Sequence, residues 1–156
     1  MHKDYTQKSG FFGIGIENAK NEYNIGTLWR SAYLMGASFI FTVNTRYKKQ
    51  SSDTIKSWTK IPLYHYKDMD DLRSHLPFSC QLIGVELDPE SIPLEDYSHP
   101  KRAVYLLGSE DSGLSKIAQS HCHDLIKIPS VFNNSLNVAS AGSIILYDRL
   151  SKSIKL

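Results

Sequence analysis

Six short apolar runs alternate with stretches of helical spacing along this chain of 156 residues, and that alternation limits the fold more than any other feature. FFGIGIE (11–17), FIFTVN (39–44), IPLYHY (61–66), CQLIGVEL (80–87), RAVYLLG (102–108) and DLIKIP (124–129) read as strands. Strands that are almost continuously apolar are buried on both faces, and helices between them supply the covers. The expected class is therefore α/β, a parallel sheet of about six strands with helices on both faces. NIGTLWRSAYLMGA (24–37) reads as the first helix, with Asn24 as N-cap and an apolar stripe of Ile25, Leu28, Ala32 and Met35. Further helices are expected around 53–59, near 68–76, from about Ser115, and from about Asn137 to the end.

A length of 156 residues with 41% hydrophobic and 22% charged residues suits one domain, expected over 1–156, with an ordinary core. No apolar stretch approaches the ~20 residues that cross a bilayer, and MHKDYTQKSG lacks the apolar region of a signal peptide. The expectation is a cytoplasmic protein with no membrane partner. Cys80 and Cys122 are too few for a disulfide framework and read as reduced thiols. The Pro-containing acidic stretch 87–100 reads as an ordered connection within the domain.

Charge is unevenly placed. Arg46, Lys48, Lys49, Lys56 and Lys60 crowd a segment whose only acid is Asp53, with Tyr47 and Trp58 interleaved, whereas 68–96 is strongly acidic. Two readings of the basic segment stand side by side. Cations that neutralise phosphates, next to rings that stack on bases, suit a polyanion; a solvated surface has the same composition.

In parallel α/β sheets ligands lie beyond the carboxyl ends of the strands. Two consecutive loops there are polar and carry bare backbone or amides: LLGSEDSGLS (106–115), and the start of IPSVFNNSLNVASAGSIILYD (128–148). Gly108 and Gly113 let a ligand lie against the main chain, while Ser109, Glu110, Ser112, Asn133, Asn134, Ser135 and Asn137 offer donors and acceptors. Other chemistry fits poorly. FFGIGIENAKN lacks the third glycine of a dinucleotide fingerprint, and the consecutive His121, Cys122 and His123 have no second ligand pair, so no metal is expected.

NIGTLWRSAYLMGAS, LLGSEDSGLS and IPSVFNNSLNVASAGSIILYD, in this order over roughly 14–150, resemble the three motifs of the SpoU (TrmH) branch of the SPOUT superfamily. Members of that branch are S-adenosylmethionine-dependent RNA ribose 2′-O-methyltransferases. The resemblance implies a trefoil knot over approximately 102–150, a bent S-adenosylmethionine in the knot loops with S-adenosylhomocysteine as product, and a homodimer that completes the site. It implies an RNA partner, transfer RNA favoured over ribosomal RNA, and no DNA. With no separate RNA-binding domain expected, the basic segment becomes the candidate RNA surface through Arg46, Lys48, Lys49 and Lys56.

Carried over by position, the first motif places Asn24 and Arg30 at the catalytic, RNA-facing position. The second places Leu106, Leu107, Gly108, Glu110 and Gly113 in the first cofactor loop. The third places Ile128, Ser135, Leu136 and Asn137 around the cofactor, Ser135 also near the reacting hydroxyl; Glu86 is a candidate for a ribose hydroxyl. A guanidinium stays protonated, so Arg30 is expected to bind a phosphate and stabilise a developing alkoxide rather than accept a proton. The alternative is a non-catalytic RNA-binding protein that keeps the knotted fold. Two departures from the motifs stand out: Ser130 and Val131 replace a methionine-containing pattern in a loop about one residue short, and Ala118 removes the acid of a capping box opened by Ser115.

Overall fold

The computed structural model describes residues 4–6, 9–46 and 56–153. Seven strands form one sheet: β1 (Phe11–Glu17), β2 (Phe39–Val43), β3 (Leu63–Tyr66), β4 (Gln81–Val85), β5 (Ile92–Pro93), β6 (Arg102–Leu107) and β7 (Asp124–Lys127). Their spatial order is β3-β2-β1-β6-β4-β7-β5 and every pairing is parallel. The expected class holds, with one strand more than expected. The addition is β5, a two-residue edge strand inside the acidic connection, where proline removes no hydrogen bond that the sheet needs.

Side-chain alternation divides the core. Phe12, Ile14 and Ile16 of β1 pack on the face covered by α1 (Glu22–Leu34) and α4 (Val138–Ser153), with Ile25, Leu28, Trp29, Ile145 and Leu146. The intervening Gly13 and Gly15 make room on the other face for the rings of Phe39 and Phe41, which α2 (Met69–Ser74) and α3 (Lys116–His121) cover through Met69, Leu72 and Ala118. The helices α1 and α4 meet through a hydrogen bond of 2.7 Å between the Ser31 and Ser143 hydroxyls.

Two local expectations need correction. The cap of α1 is Asn21, whose side chain accepts from the Tyr23 amide, and Asn24 lies inside the first turn. Asn21 followed by an acid satisfies the helix start earlier, which frees the Asn24 amide for tertiary work. In the expected helix around 53–59, the described part is a single 3-10 turn, Ser57–Thr59, and the rest lies outside the described residues. Among the described residues no helix is long and apolar enough to cross a membrane.

The amino end of the sheet carries a polar cluster built on a buried arginine. Arg149 of α4 is only 2% exposed and lies over the Phe12 ring. It donates to the carbonyls of Ser9, Pro100 and Lys101 at 2.6, 2.6 and 2.9 Å and to the Tyr105 hydroxyl at 3.0 Å.

Candidate active site

The carboxyl ends of β1, β6, β4 and β7 lie side by side, and the chain leaves each through a polar loop. After β6 the loop folds back on itself: the Gly113 amide donates to the Ser109 carbonyl at 3.1 Å. A Cβ on Gly108 would stand 2.1 Å from the Gly113 carbonyl carbon, and Gly113 itself has φ +66 and lies against the Glu86 carboxylate. Only glycine meets both demands.

Two carboxylates grip this loop from neighbouring strands. Glu86, just beyond β4, accepts from the Leu114 amide at 2.7 Å. Glu17, the buried last residue of β1, accepts from the Ser115 amide at 2.8 Å and the Ser115 hydroxyl at 2.6 Å. The Ser115 hydroxyl in turn caps α3 by accepting from the Ala118 amide at 3.0 Å. Glu17 thus supplies from β1 the carboxylate that a local capping box would have placed at Ala118.

Asn24 ties the three segments together. Its side-chain amide donates to the Glu110 carboxylate, and its carbonyl accepts from the Asn137 amide at 3.0 Å. Asn137 also starts α4, its carbonyl accepting from the Ser140 amide at 3.1 Å. Next to this trio lies an open cavity lined by Val85, Glu86, Leu107, Gly108, Gly113, Ile128, Ser135 and Leu136 among others. The lining combines apolar side chains of Val85, Leu107, Ile128 and Leu136 with serine, asparagine and the Glu86 carboxylate. Such a pocket takes a ligand with a flat apolar part and a polar part.

Over residues 12–147 the sequence matches the SpoU rRNA Methylase family. The chain belongs to that family. The 23S rRNA (guanosine-2′-O-)-methyltransferase RlmB of Acinetobacter baylyi is 25% identical over 142 residues, covering 86% of this chain and 57% of that protein. An uncharacterized tRNA/rRNA methyltransferase of Archaeoglobus fulgidus is 28% identical over 144 residues, covering 88% of this chain and 63% of that protein. The chain therefore spans about three fifths of these relatives' length. The AdoMet-bound rRNA methyltransferase from Sinorhizobium meliloti superposes with a TM-score of 0.80 at 25% identity, covering 94% of this chain and 57% of that one. The A. aeolicus TrmH/SpoU tRNA modifying enzyme shares the fold as well, with a TM-score of 0.81 at 23% identity, covering 94% of this chain and 76% of that one.

Of the candidate site residues, Glu86, Leu107, Gly108, Gly113, Ile128, Ser135 and Leu136 line one cavity, and Asn24, Glu110 and Asn137 form the linked trio beside it. Leu106 does not join them: it points to the opposite face of the sheet, into the core with Phe41 and Leu82, because successive strand residues alternate. Arg30 is exposed on α1, outside the cavity lining. Arg46 and Lys56 are exposed, whereas Lys48 and Lys49 lie outside the described residues. His121, Cys122 and His123 diverge: the Cys122 thiol donates to the Ala118 carbonyl and His123 accepts from the Leu82 amide. Burial pushes the Cys122 thiol up to about 12, so it is no nucleophile. Sequence reasoning missed Glu17, whose one visible signal is a carboxylate ending an otherwise apolar strand.

Proposed function

We propose that this SpoU-family protein is an RNA methyltransferase that binds S-adenosylmethionine in the cavity beyond β4, β6 and β7 and methylates a ribose 2′-hydroxyl, transfer RNA being favoured over ribosomal RNA. The observation that carries the reading is the Asn24 bridge, which draws all three motif segments together at the edge of that cavity. The lining suits the cofactor: Leu107, Leu136 and Val138 offer apolar surface for an adenine, Gly108 and Gly113 offer bare backbone, and Glu86 offers a carboxylate for ribose hydroxyls. S-adenosylmethionine would supply there an electrophilic methyl on a positively charged sulfur. Supporting names are those of RlmB, a 2′-O-methyltransferase, and of the AdoMet-bound relative.

A neutral ribose hydroxyl is a weak nucleophile, so the chain must orient it and stabilise its developing negative charge. Ser135, which lines the cavity, is assigned the hydrogen bond to the hydroxyl. Arg30 follows Asn24 by six positions, about 9 Å along α1, and is assigned the adjoining phosphate. The proton leaves to water. Arg46, Lys48, Lys49 and Lys56 are assigned to more distant phosphates.

The reading includes a cytoplasmic location and a homodimer. For the homodimer the support is the solvent side of α1 and α4, where Tyr23, Leu34, Ile144 and Tyr147 are all exposed beside the Ser31–Ser143 contact. Arg30 shares that side of α1, so a second copy seated there would complete the site. The knotted path over approximately 102–150 is supported by β6 and β7 lying on either side of β4. Calorimetry with S-adenosylmethionine, followed by mapping of 2′-O-methyl positions in total RNA with and without the protein, tests the proposal. Micromolar binding and a lost methyl position are expected; RNA binding without cofactor binding would instead favour the non-catalytic alternative.

A further inference from the structure

The loop from β7 to α4 presents two large apolar side chains to water, Val131 at 93% and Phe132 at 86% exposure. They are held out. The Asn133 amide donates to the Ser130 carbonyl at 3.2 Å, the Ser130 hydroxyl donates to the Asn134 carbonyl at 3.1 Å, and Asn133 takes φ 54. A turn closed in this way cannot fold its apex back onto the core. Asn134, Ser135 and Leu136, which follow after Asn133, line the cavity, so Phe132 stands two residues before the first of them on the same loop.

An exposed phenylalanine is not in itself a site, since Phe78 is 88% exposed as well; what sets Phe132 apart is its place in the loop that lines the cavity. A protein partner is a poor fit to this spot. Ser130, Asn133 and Asn134 surround the pair with polar groups, and one phenylalanine supplies about 150–250 Å² against the ~800 Å² that each side of a stable interface buries. A nucleobase needs only one ring face, and amides at its edge suit its polar atoms.

We propose that Phe132 is a stacking platform for an unstacked base of the RNA, next to the nucleotide whose ribose enters the cavity, with Val131 packing against the same nucleotide. This rests on the RNA reading above and adds the residue that recognises the single-stranded element. It also gives a role to the segment that departs from the family motif: it serves the RNA side of the site rather than the cofactor side.

Anisotropy titrations with unfractionated transfer RNA and with deproteinised ribosomal RNA test it on Phe132→Ala, Phe132→Leu and Phe132→Tyr. Stacking is worth about 1–3 kcal/mol per base, so Ala and Leu should each weaken RNA binding about tenfold or more, while Tyr stays within about twofold of wild type. S-adenosylmethionine affinity by calorimetry, melting temperature and the salt slope of RNA binding should not move, since no phosphate contact is lost. Full rescue by Leu, a shift from dimer to monomer in the Ala variant, or lost cofactor affinity with RNA affinity intact would each overturn the proposal. A wild-type protein that binds neither RNA removes the RNA reading itself, and this shows before any variant is compared.

Discussion

The two ends of the sheet each hold a polar cluster, yet they are built to opposite plans. At the amino end, both terminal nitrogens of Arg149 are consumed by carbonyls and the Tyr105 hydroxyl, His99 is held between Tyr105 at 2.6 Å and Asp148 at 2.8 Å, and Lys152 caps Asp148 at 2.8 Å. At the carboxyl end, Glu17, Glu86, Asn24 and Asn137 spend their bonds on holding two loops in place, and the backbone they hold borders open space. Burial and polarity therefore do not make a site. Open space borders both clusters, and at the amino end the Arg149 Nε and the Ser9 hydroxyl lack a partner among the described residues. What separates the two is that the amino-end bonds tie α4 to the starts of β1 and β6, whereas the carboxyl-end bonds fix two loops whose bare backbone faces the cavity.

The largest expected effect tests the first half of that comparison. Arg149→Leu takes its donor from the Ser9 and Pro100 carbonyls and weakens the Lys101 carbonyl and Tyr105 hydroxyl, which keep the Phe11 amide and His99, and a buried acceptor without its donor costs about 1–3 kcal/mol. A loss of about 3–5 kcal/mol in urea unfolding is expected, with S-adenosylmethionine affinity unchanged for the protein that remains folded. An equal loss of cofactor affinity would break the division between the ends.

The second prediction reverses the pattern. In Gly108→Ala the new methyl meets backbone at 2.1 and 2.3 Å, where no side chain can give way. The loop must shift, and cofactor affinity should fall about 100-fold, or ~2.7 kcal/mol, while thermal stability drops less than in Arg149→Leu. Unchanged affinity would mean that the ligand lies elsewhere.

The sequence made the carboxyl end far more legible than the amino end, for physical reasons. Gly108, Gly113, Ser135 and Asn137 fall in contiguous loops after apolar strands, so local pattern and motif resemblance both find them. Glu17 and Arg149 act through partners far along the chain, Ser115 in one case and Ser9 and Pro100 in the other. No local period records such contacts. Asn24 illustrates the boundary: its importance was legible, but a cap was the wrong role, because Asn21 had already taken it and the Asn24 amide was free to reach Glu110. The two-residue β5 is too short for any alternation to announce it.

The smallest expected effect concerns His99 and probes how the amino-end cluster responds to a proton. Burial holds the His99 imidazole below its ordinary value of 6.5, against the opposing pull of Asp148, while Arg149 and Lys152 push the same way as burial. The neutral ring then donates to Asp148 and accepts from the Tyr105 hydroxyl, whose own value burial raises to about 12. Unfolding returns the ring to water and to its ordinary affinity for protons. The unfolded chain therefore binds more protons than the folded one as pH drops below 6.5, and stability is full above that point and falls beneath it, by at most about 1.4 kcal/mol per pH unit for one proton. Urea midpoints measured between pH 7 and 5 should show this slope in the wild type. They should show less of it in His99→Gln, whose amide can still donate to Asp148 and accept from Tyr105 but does not titrate. Cofactor affinity should follow the same pH profile in both proteins, because the titrating ring lies at the opposite end of the sheet from the cavity beyond β4, β6 and β7.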